Sequence, residues 1–138
     1  MSSNSDWELR AKTKRLERAL AEMKGRAVIV EGARDRAALE RIVAARFVLC
    51  NQSADEVAAR VAGEEKAFVL TDFDRRGEEK ARALEEALAA HGVRADLEAR
   101  RALRYALGIS FIEDAARRLE ELRKECMEKK VELSVRVM

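Results

Sequence analysis

Two apolar segments that end abruptly in carboxylates constrain the fold of this 138-residue chain more than any other feature. The first, residues 28–30, runs directly into Glu31, and the second, residues 68–70, is followed closely by Asp72 and Asp74. Short runs of Val, Ile and Phe ahead of a helical pattern are typical of buried parallel strands. Because open parallel sheets bind ligands beyond the carboxyl ends of their strands, these acids occupy the positions where such a fold places its chemistry.

Strand-like and helical segments alternate along the middle of the chain. The predicted strands are residues 26–30, 47–49, 67–70 and 93–97. This alternation predicts an α/β fold, with a Rossmann-like parallel four-stranded sheet flanked by helices over residues 26–97. An extra N-terminal helix within residues 1–25 precedes this core, and residues 98–138 are predicted to form a C-terminal helical extension.

The last residues of the extension, 131–137, alternate strictly between apolar and polar side chains. Such alternation predicts an edge strand whose apolar face needs a partner. That strand would finish the sheet of its own chain or add to a sheet in a second subunit, and it therefore suggests a homodimer.

The charge balance and the cysteines exclude several classes of protein. Lysine plus arginine (28) nearly equals aspartate plus glutamate (26), so the net charge of +2 does not by itself indicate a nucleic-acid-binding protein. Cys50, Cys126 and His91 lack the clustered spacing of a zinc site, and isolated cysteines are typical of reduced thiols inside cells. No apolar run approaches the length of a membrane span and the first residues do not resemble a signal peptide, so we expect a cytoplasmic protein without a membrane partner.

The three strand-end acids form a candidate metal site. Asp72 and Asp74 are two residues apart, so both would face the same side if the strand continued, with Phe73 turned toward the core. Three hard oxygen ligands suit Mg2+, for which Mn2+ can substitute. Crowded acids should raise the pKa of at least one of them until a metal neutralises the cluster.

The paired motifs resemble the Toprim domain, the metal-binding module of topoisomerases, bacterial-type primases and several nucleases. The family pattern is a strand ending in Glu-Gly and a later strand ending in Asp-x-Asp-x-x-Gly. Glu31-Gly32 matches the first motif and the segment 72–77 matches the second. The resemblance covers residues 26–97. It is greatest to small stand-alone Toprim proteins, namely the short archaeal ones and the ribonuclease that matures 5S ribosomal RNA, and to the primase-type branch. The resemblance implies that Glu31 is a catalytic acid/base or metal ligand and that Asp72 and Asp74 are metal ligands. Asp35 matches an accessory acidic position of some branches.

Arginines and glycines beside the acids suit a phosphate substrate. Arg34 follows the glutamate motif and Arg75 and Arg76 follow the aspartates, and arginine binds phosphate through two parallel hydrogen bonds. Gly32 and Gly77 would allow close approach of the backbone or a sharp turn. A second cluster, consisting of Arg94, Arg100, Arg101 and Arg104 with Tyr105, is either a track for a nucleic-acid backbone or a solvated helix face.

A structural role for the acids is the competing interpretation. Asp72 or Asp74 could cap a helix that begins near Gly77, and for Asp35 capping is at least as good an explanation as metal binding. A helix cap does not need two nearby acids and a third on another strand, so the three together favour a metal site.

The predicted function is Mg2+-dependent phosphodiester chemistry on nucleic acid, as an endonuclease acting on structured RNA or DNA. A non-catalytic module that binds metal and nucleic acid and recruits a partner to a larger machine is the alternative. A phosphate-binding domain of the receiver type fits less well, because that fold carries its acids in a different order along the chain.

Overall fold

The computed structural model describes residues 4–138, and within them the chain forms six α-helices, one short 3-10 helix and four strands. In chain order these are α1 (Asn4–Met23), β1 (Ala27–Val30), α2 (Ala33–Glu40), β2 (Arg46–Leu49), α3 (Ala54–Arg60), β3 (Lys66–Leu70), α4 (Arg75–Ala90), β4 (Arg94–Asp96), α5 (Glu98–Leu107), the 3-10 helix (Ile112–Asp114) and α6 (Ala115–Glu128). Helix α1 accounts for most of the predicted N-terminal helix, of which residues 1–3 lie outside the described residues.

The strands form one parallel sheet in the order β2-β1-β3-β4, which confirms the predicted α/β fold. Val30, the last residue of β1, pairs with Leu49 of β2 on one side and with Leu70 of β3 on the other. The three strands therefore end at the same level, and the segments that follow β1 and β3 are neighbours.

Helices cover both faces of the sheet, because alternate residues of each buried strand point to opposite sides. Val28 and Phe68 join the larger apolar core, to which α1, α2, α5 and α6 contribute. Ile29 and Val69 join a smaller core beneath α3 and α4. Burial on both faces explains why β1 and β3 consist of unbroken apolar runs rather than alternating ones.

The C-terminal tail, residues 131–138, forms neither helix nor strand and joins no sheet, so the predicted edge strand does not form within the described chain. The apolar and polar residues of the tail nevertheless alternate between buried and exposed positions. Val131 is buried, and Leu133, Val135 and Val137 are partly buried against the larger core. The tail's hydrogen bonds go to residues of α1 and α6 and to Arg41 at the end of α2. Side chains and chain ends hold it instead, since Arg123 donates to the carbonyls of Leu133 and Val135 and the Met138 N–H donates to the Arg41 carbonyl.

Within residues 4–138, no helix is both long and apolar enough to cross a bilayer.

Candidate acidic site at the carboxyl ends of the strands

Glu31 and Asp72 come together across the ends of two neighbouring strands, as the sequence predicts. Glu31 follows β1 directly, and Asp72 lies two residues beyond the end of β3. The Asp72 N–H donates a hydrogen bond of 2.7 Å to Glu31 Oε2. This contact forms because β1 and β3 are adjacent, parallel and in a register that pairs their last residues, Val30 and Leu70.

The second acidic motif is a tightly folded loop over residues 71–77. The buried Thr71 hydroxyl donates to the Gly77 carbonyl at 2.7 Å, and the Gly77 N–H donates to Asp74 Oδ1 at the same distance. A Cβ atom at Gly77 would lie 1.9 Å from the Asp72 carbonyl oxygen. Only glycine fits there. The predicted close approach of the backbone therefore occurs at Gly77, and it is between Gly77 and the backbone of Asp72 in the same loop.

Gly32 differs in this respect. Its φ of −151° is ordinary extended backbone, and a Cβ atom there would contact nothing within 4 Å. Neither backbone geometry nor crowding within the described chain requires glycine at this position, and close approach of a ligand at Gly32 stays a prediction.

Asp74 lies in the turn ahead of α4, which corrects the expectation that Asp72 and Asp74 share one face of a continued strand. Strand β3 ends at Leu70, and Asp74 caps α4 through its bond from the Gly77 N–H. The capping interpretation is therefore confirmed for Asp74, whose side chain is exposed. Phe73 points into the larger core as predicted, and its N–H donates to the Ser110 carbonyl at 3.0 Å.

Asp72 is the most strongly perturbed acid of the site. Burial raises its pKa, nearby Asp35, Glu31 and Asp74 add to the effect, and the result is a pKa of about 6. A hydrogen bond of 2.8 Å from the Ile112 N–H to Asp72 Oδ1 acts in the opposite direction. The predicted rise in the pKa of a crowded acid is thus found at Asp72.

Asp35 joins the cluster from the first turn of α2. It is 7% exposed, and its Oδ2 accepts a hydrogen bond of 3.1 Å from the Gly32 N–H at the start of the helix. Burial raises the pKa of Asp35, as do the charges of Glu31 and Glu113. Asp35 is therefore a helix cap, as the competing interpretation held, and at the same time a member of the acidic cluster.

Lys80 supplies a positive charge that the sequence interpretation missed. Its Nζ lies 3.0 Å from Glu31 Oε1, and the side chain is about one-third exposed. The position has a sequence signal, because a residue one turn beyond Gly77 on α4 faces the same strand ends. Glu113 was missed as well. It reaches the cluster from the 3-10 helix, far along the chain, and no local pattern indicates its approach.

Arg100 is not part of a solvated helix face, so that predicted interpretation is wrong for this residue, and a nucleic-acid track through the cluster stays a prediction. It is 6% exposed, its Nε donates to the Thr71 carbonyl at 2.8 Å and its Nη2 donates to the Asp72 carbonyl. Nη2 also lies 2.9 Å from Glu78 Oε1. Arg100, a residue of α5, therefore holds the acidic loop against that helix through these hydrogen bonds.

The other arginines lie on the surface. Arg34 stands at the start of α2, and Arg75 and Arg76 open α4, so these exposed side chains flank the acids. Arg75 pairs with Glu79 at 3.4 Å. Arg94 opens β4 and therefore lies at the amino end of the sheet, away from the acids.

The donor chemistry of the cluster fits a hard divalent cation. Glu31, Asp35, Asp72 and Asp74 supply only carboxylate oxygens, which Mg2+ and Mn2+ prefer. Burial, and to a smaller extent the charges of neighbouring acids, raise the pKa of Asp35 and Asp72, and Lys80 pairs with Glu31. In the part of the chain that the structure describes, no three metal-binding side chains are gathered into a ready coordination shell. Backbone N–H groups bind the carboxylates instead.

Two known proteins are similar to this chain in sequence. The chain is 42% identical over 87 residues to a UPF0292 protein of Pyrococcus horikoshii and 40% identical over 87 residues to one of Thermococcus onnurineus. Each match covers 62% of this chain and 65% of the relative, which is less than two thirds of the relatives' length.

A solved structure of a protein from Aquifex aeolicus superimposes with a TM-score of 0.58 at 23% identity, covering 83% of this chain and 99% of that one. This likeness supports the fold alone. No family model matches the chain. By these comparisons the chain is similar to the UPF0292 proteins in sequence and to the Aquifex protein in fold.

Proposed function

We propose that the acidic cluster binds Mg2+, with Mn2+ able to substitute, and supports phosphodiester chemistry on nucleic acid as a Toprim-type endonuclease. The observation that carries the proposal is the convergence of Glu31, Asp35, Asp72 and Asp74 at the ends of adjacent parallel strands. A cluster whose members repel one another in this way gains stability from a bound cation.

Glu31, Asp72 and Asp74 would hold the metal, and the bound ion would polarise the phosphate and stabilise the leaving oxygen. Glu31 is the candidate acid/base, placed by its bond from the Asp72 N–H. Arg100 and Gly77 keep the loop in one conformation, which positions Asp72 without relying on the metal. Arg34, Arg75 and Arg76 flank the acids on the surface, where they would contact the phosphates of a substrate.

A recruiting module that binds metal and nucleic acid without cleaving is the second candidate. One observation favours it: Asp35 and Asp74 cap helices, and Asp72 and Glu31 bind backbone N–H groups, so each acid has a structural partner. Both candidates require nucleic acid as a partner, and only the first requires Glu31 for turnover.

The test is cleavage of labelled structured RNA, single-stranded DNA and duplex DNA with Mg2+ or Mn2+. Glu31→Gln removes the candidate acid/base, and Glu40→Gln, which changes an exposed glutamate of α2, is the matched control. Cleavage that Glu31→Gln abolishes and Glu40→Gln preserves would support the enzyme. Absence of cleavage with every substrate, while Mn2+ still binds, would support the module.

Metal binding is tested separately by titrating Mn2+ into the wild type and into Asp72→Asn. We expect weaker binding in Asp72→Asn, because a charged oxygen ligand becomes a neutral one. Asp96→Asn is the control, since this acid pairs with Lys66 away from the cluster. Equal Mn2+ affinity in wild type and Asp72→Asn would contradict the assignment of the site.

A further inference from the structure

A groove of about 700 Å3 lies between α4 and α5, beside the β4 edge of the sheet. Phe73, Leu97 and Tyr105 contribute its apolar lining, and Arg82, Arg101 and Arg104 contribute cationic side chains. The volume lies in the range of ligand-binding clefts, and a mixed apolar and cationic lining suits a ligand with both an anionic and a planar apolar part.

Two of these arginines are not neutralised. Arg101 pairs with Glu98 at 2.8 Å, but Arg82 and Arg104 have no ion-pair partner among residues 4–138. Glu78 and Glu85 also line the groove, and Glu78 is bound to the buried Arg100. Arg82 and Arg104 come from different helices, so they offer a phosphate chain two separate contacts.

Aromatic rings lie beside these cations. The Arg104 guanidinium lies 5.3 Å from the centre of the Phe73 ring. Tyr105 is 40% exposed at the rim, with Lys12 at 6.0 Å and Arg15 at 5.2 Å from its ring centre. Cationic grooves that carry aromatic side chains are typical of surfaces that bind single-stranded nucleic acid, whose bases stack while the backbone contacts arginine.

The groove adjoins the loop that carries Asp72 and Asp74, although none of the four acids lines it. Phe73 lies in the chain between Asp72 and Asp74; it belongs to the larger core, is 9% exposed and also lines the groove. Arg100 lines the groove and donates to the carbonyl of Asp72. A strand that lies in the groove therefore packs against the loop whose other residues, Asp72 and Asp74, carry carboxylates of the cluster.

We infer that the α4–α5 groove binds a single-stranded segment of RNA or DNA that leads to the acidic cluster. The inference rests on the proposed function and adds where the substrate lies and in which form. A duplex presents phosphates outward and keeps its bases stacked inside, so the apolar lining would find no base to contact. An unpaired segment exposes both the bases and the backbone to the groove.

Binding of labelled oligonucleotides of about 12 nucleotides, measured by fluorescence anisotropy with EDTA present, tests the groove independently of the metal. The probes are oligo-U, oligo-dT and a mixed-sequence duplex. The variant is Arg82→Gln/Arg104→Gln, and Arg26→Gln/Arg60→Gln is the control, because it removes the same charge from exposed arginines outside the groove.

We expect the groove variant to bind both single strands at least tenfold more weakly, and the control to stay within twofold of the wild type. Loss of two phosphate contacts should lower the slope of log affinity against log salt by about 1.4, since each contact on a single strand contributes about 0.7. Whether oligo-U or oligo-dT binds more tightly distinguishes RNA from DNA as the source of the strand.

Equal losses in the groove variant and the control would overturn the inference, as would absence of binding to either single strand. A loss on duplex as large as that on single strands would overturn the preference for unpaired nucleic acid. The proposed function is tested by a different outcome. If single strands bind through the groove but no metal-dependent cleavage occurs, the groove inference is supported and the nuclease proposal is rejected. If the protein cleaves nucleic acid but the groove variant binds single strands as tightly as the wild type, the nuclease proposal is supported and the groove inference is rejected.

Discussion

The two loops that carry the acidic motifs look alike in sequence but are held in different ways. The loop after β1 places Gly32 in extended backbone without crowding, and Asp35 caps the following helix. The loop after β3 is packed against itself at Gly77 and clamped by Arg100. A glycine that follows a strand-end acid can thus be a steric necessity in one loop and optional in the other.

Alanine substitution at the two glycines should distinguish the two loops most strongly. Gly77→Ala forces a Cβ atom into the Asp72 carbonyl and should lower the free energy of unfolding by about 3 kcal/mol, the upper end for overpacking. Gly32→Ala should change it by less than about 0.5 kcal/mol, because the added methyl group meets nothing. Urea denaturation measures both, and equal effects would remove the distinction between the loops.

The clamp on the second loop should have the next largest effect. Arg100→Met leaves the carbonyls of Thr71 and Asp72 without their charged donor and should cost about 2 kcal/mol of folding stability. Arg101→Met changes the adjacent, exposed arginine and should be nearly neutral. If both variants unfold at the same urea concentration as wild type, Arg100 does not hold the loop.

Lys80 connects the two loops, because it stands on the helix after the second and pairs with the glutamate of the first. Lys80→Met removes a positive charge from the proposed metal site and should tighten Mn2+ binding on the order of tenfold. Lys66→Met, which removes a lysine paired with Asp96 elsewhere, should leave Mn2+ affinity unchanged. Weaker Mn2+ binding by Lys80→Met in calorimetry would show that the lysine supports the metal rather than competes with it.

The smallest expected effect is the pH dependence of the metal-free protein. The pKa of Asp72 is about 6 in the folded chain, above its ordinary value, so folding favours the protonated acid. The wild type should therefore lose stability relative to Asp72→Asn as the pH rises from about 4 to about 7, by on the order of 1 kcal/mol after solvent screening. Asn still accepts the hydrogen bond from the Ile112 N–H.

Denaturation at about pH 4 and about pH 8 measures this difference. Asp74→Asn serves as the comparison, because Asp74 is exposed and the amide oxygen of the introduced asparagine would still cap α4. A gap between wild type and Asp72→Asn that stays constant with pH would contradict the raised pKa.

Local pattern was sufficient to predict the sheet and the position of the acids. The apolar runs of β1 and β3 are buried on both faces, and that burial is what an unbroken run of Val, Ile and Phe encodes. Since parallel strands end together, Glu31 and Asp72 could be placed near each other from sequence alone. The turn at Asp74 was not predicted, because Asp-x-Asp spacing fits a continuing strand and a helix cap equally well.

Strands, helices and the acids that follow the strands can be predicted from neighbours a few positions away in the chain. The burial of Arg100, the pairing of Lys80 with Glu31 and the packing of the alternating tail against the larger core cannot, because they depend on residues that are distant in sequence and adjacent only in the fold. The local sequence of an arginine or of an alternating segment is the same whether its neighbour in the fold is a carbonyl group, a helix or water.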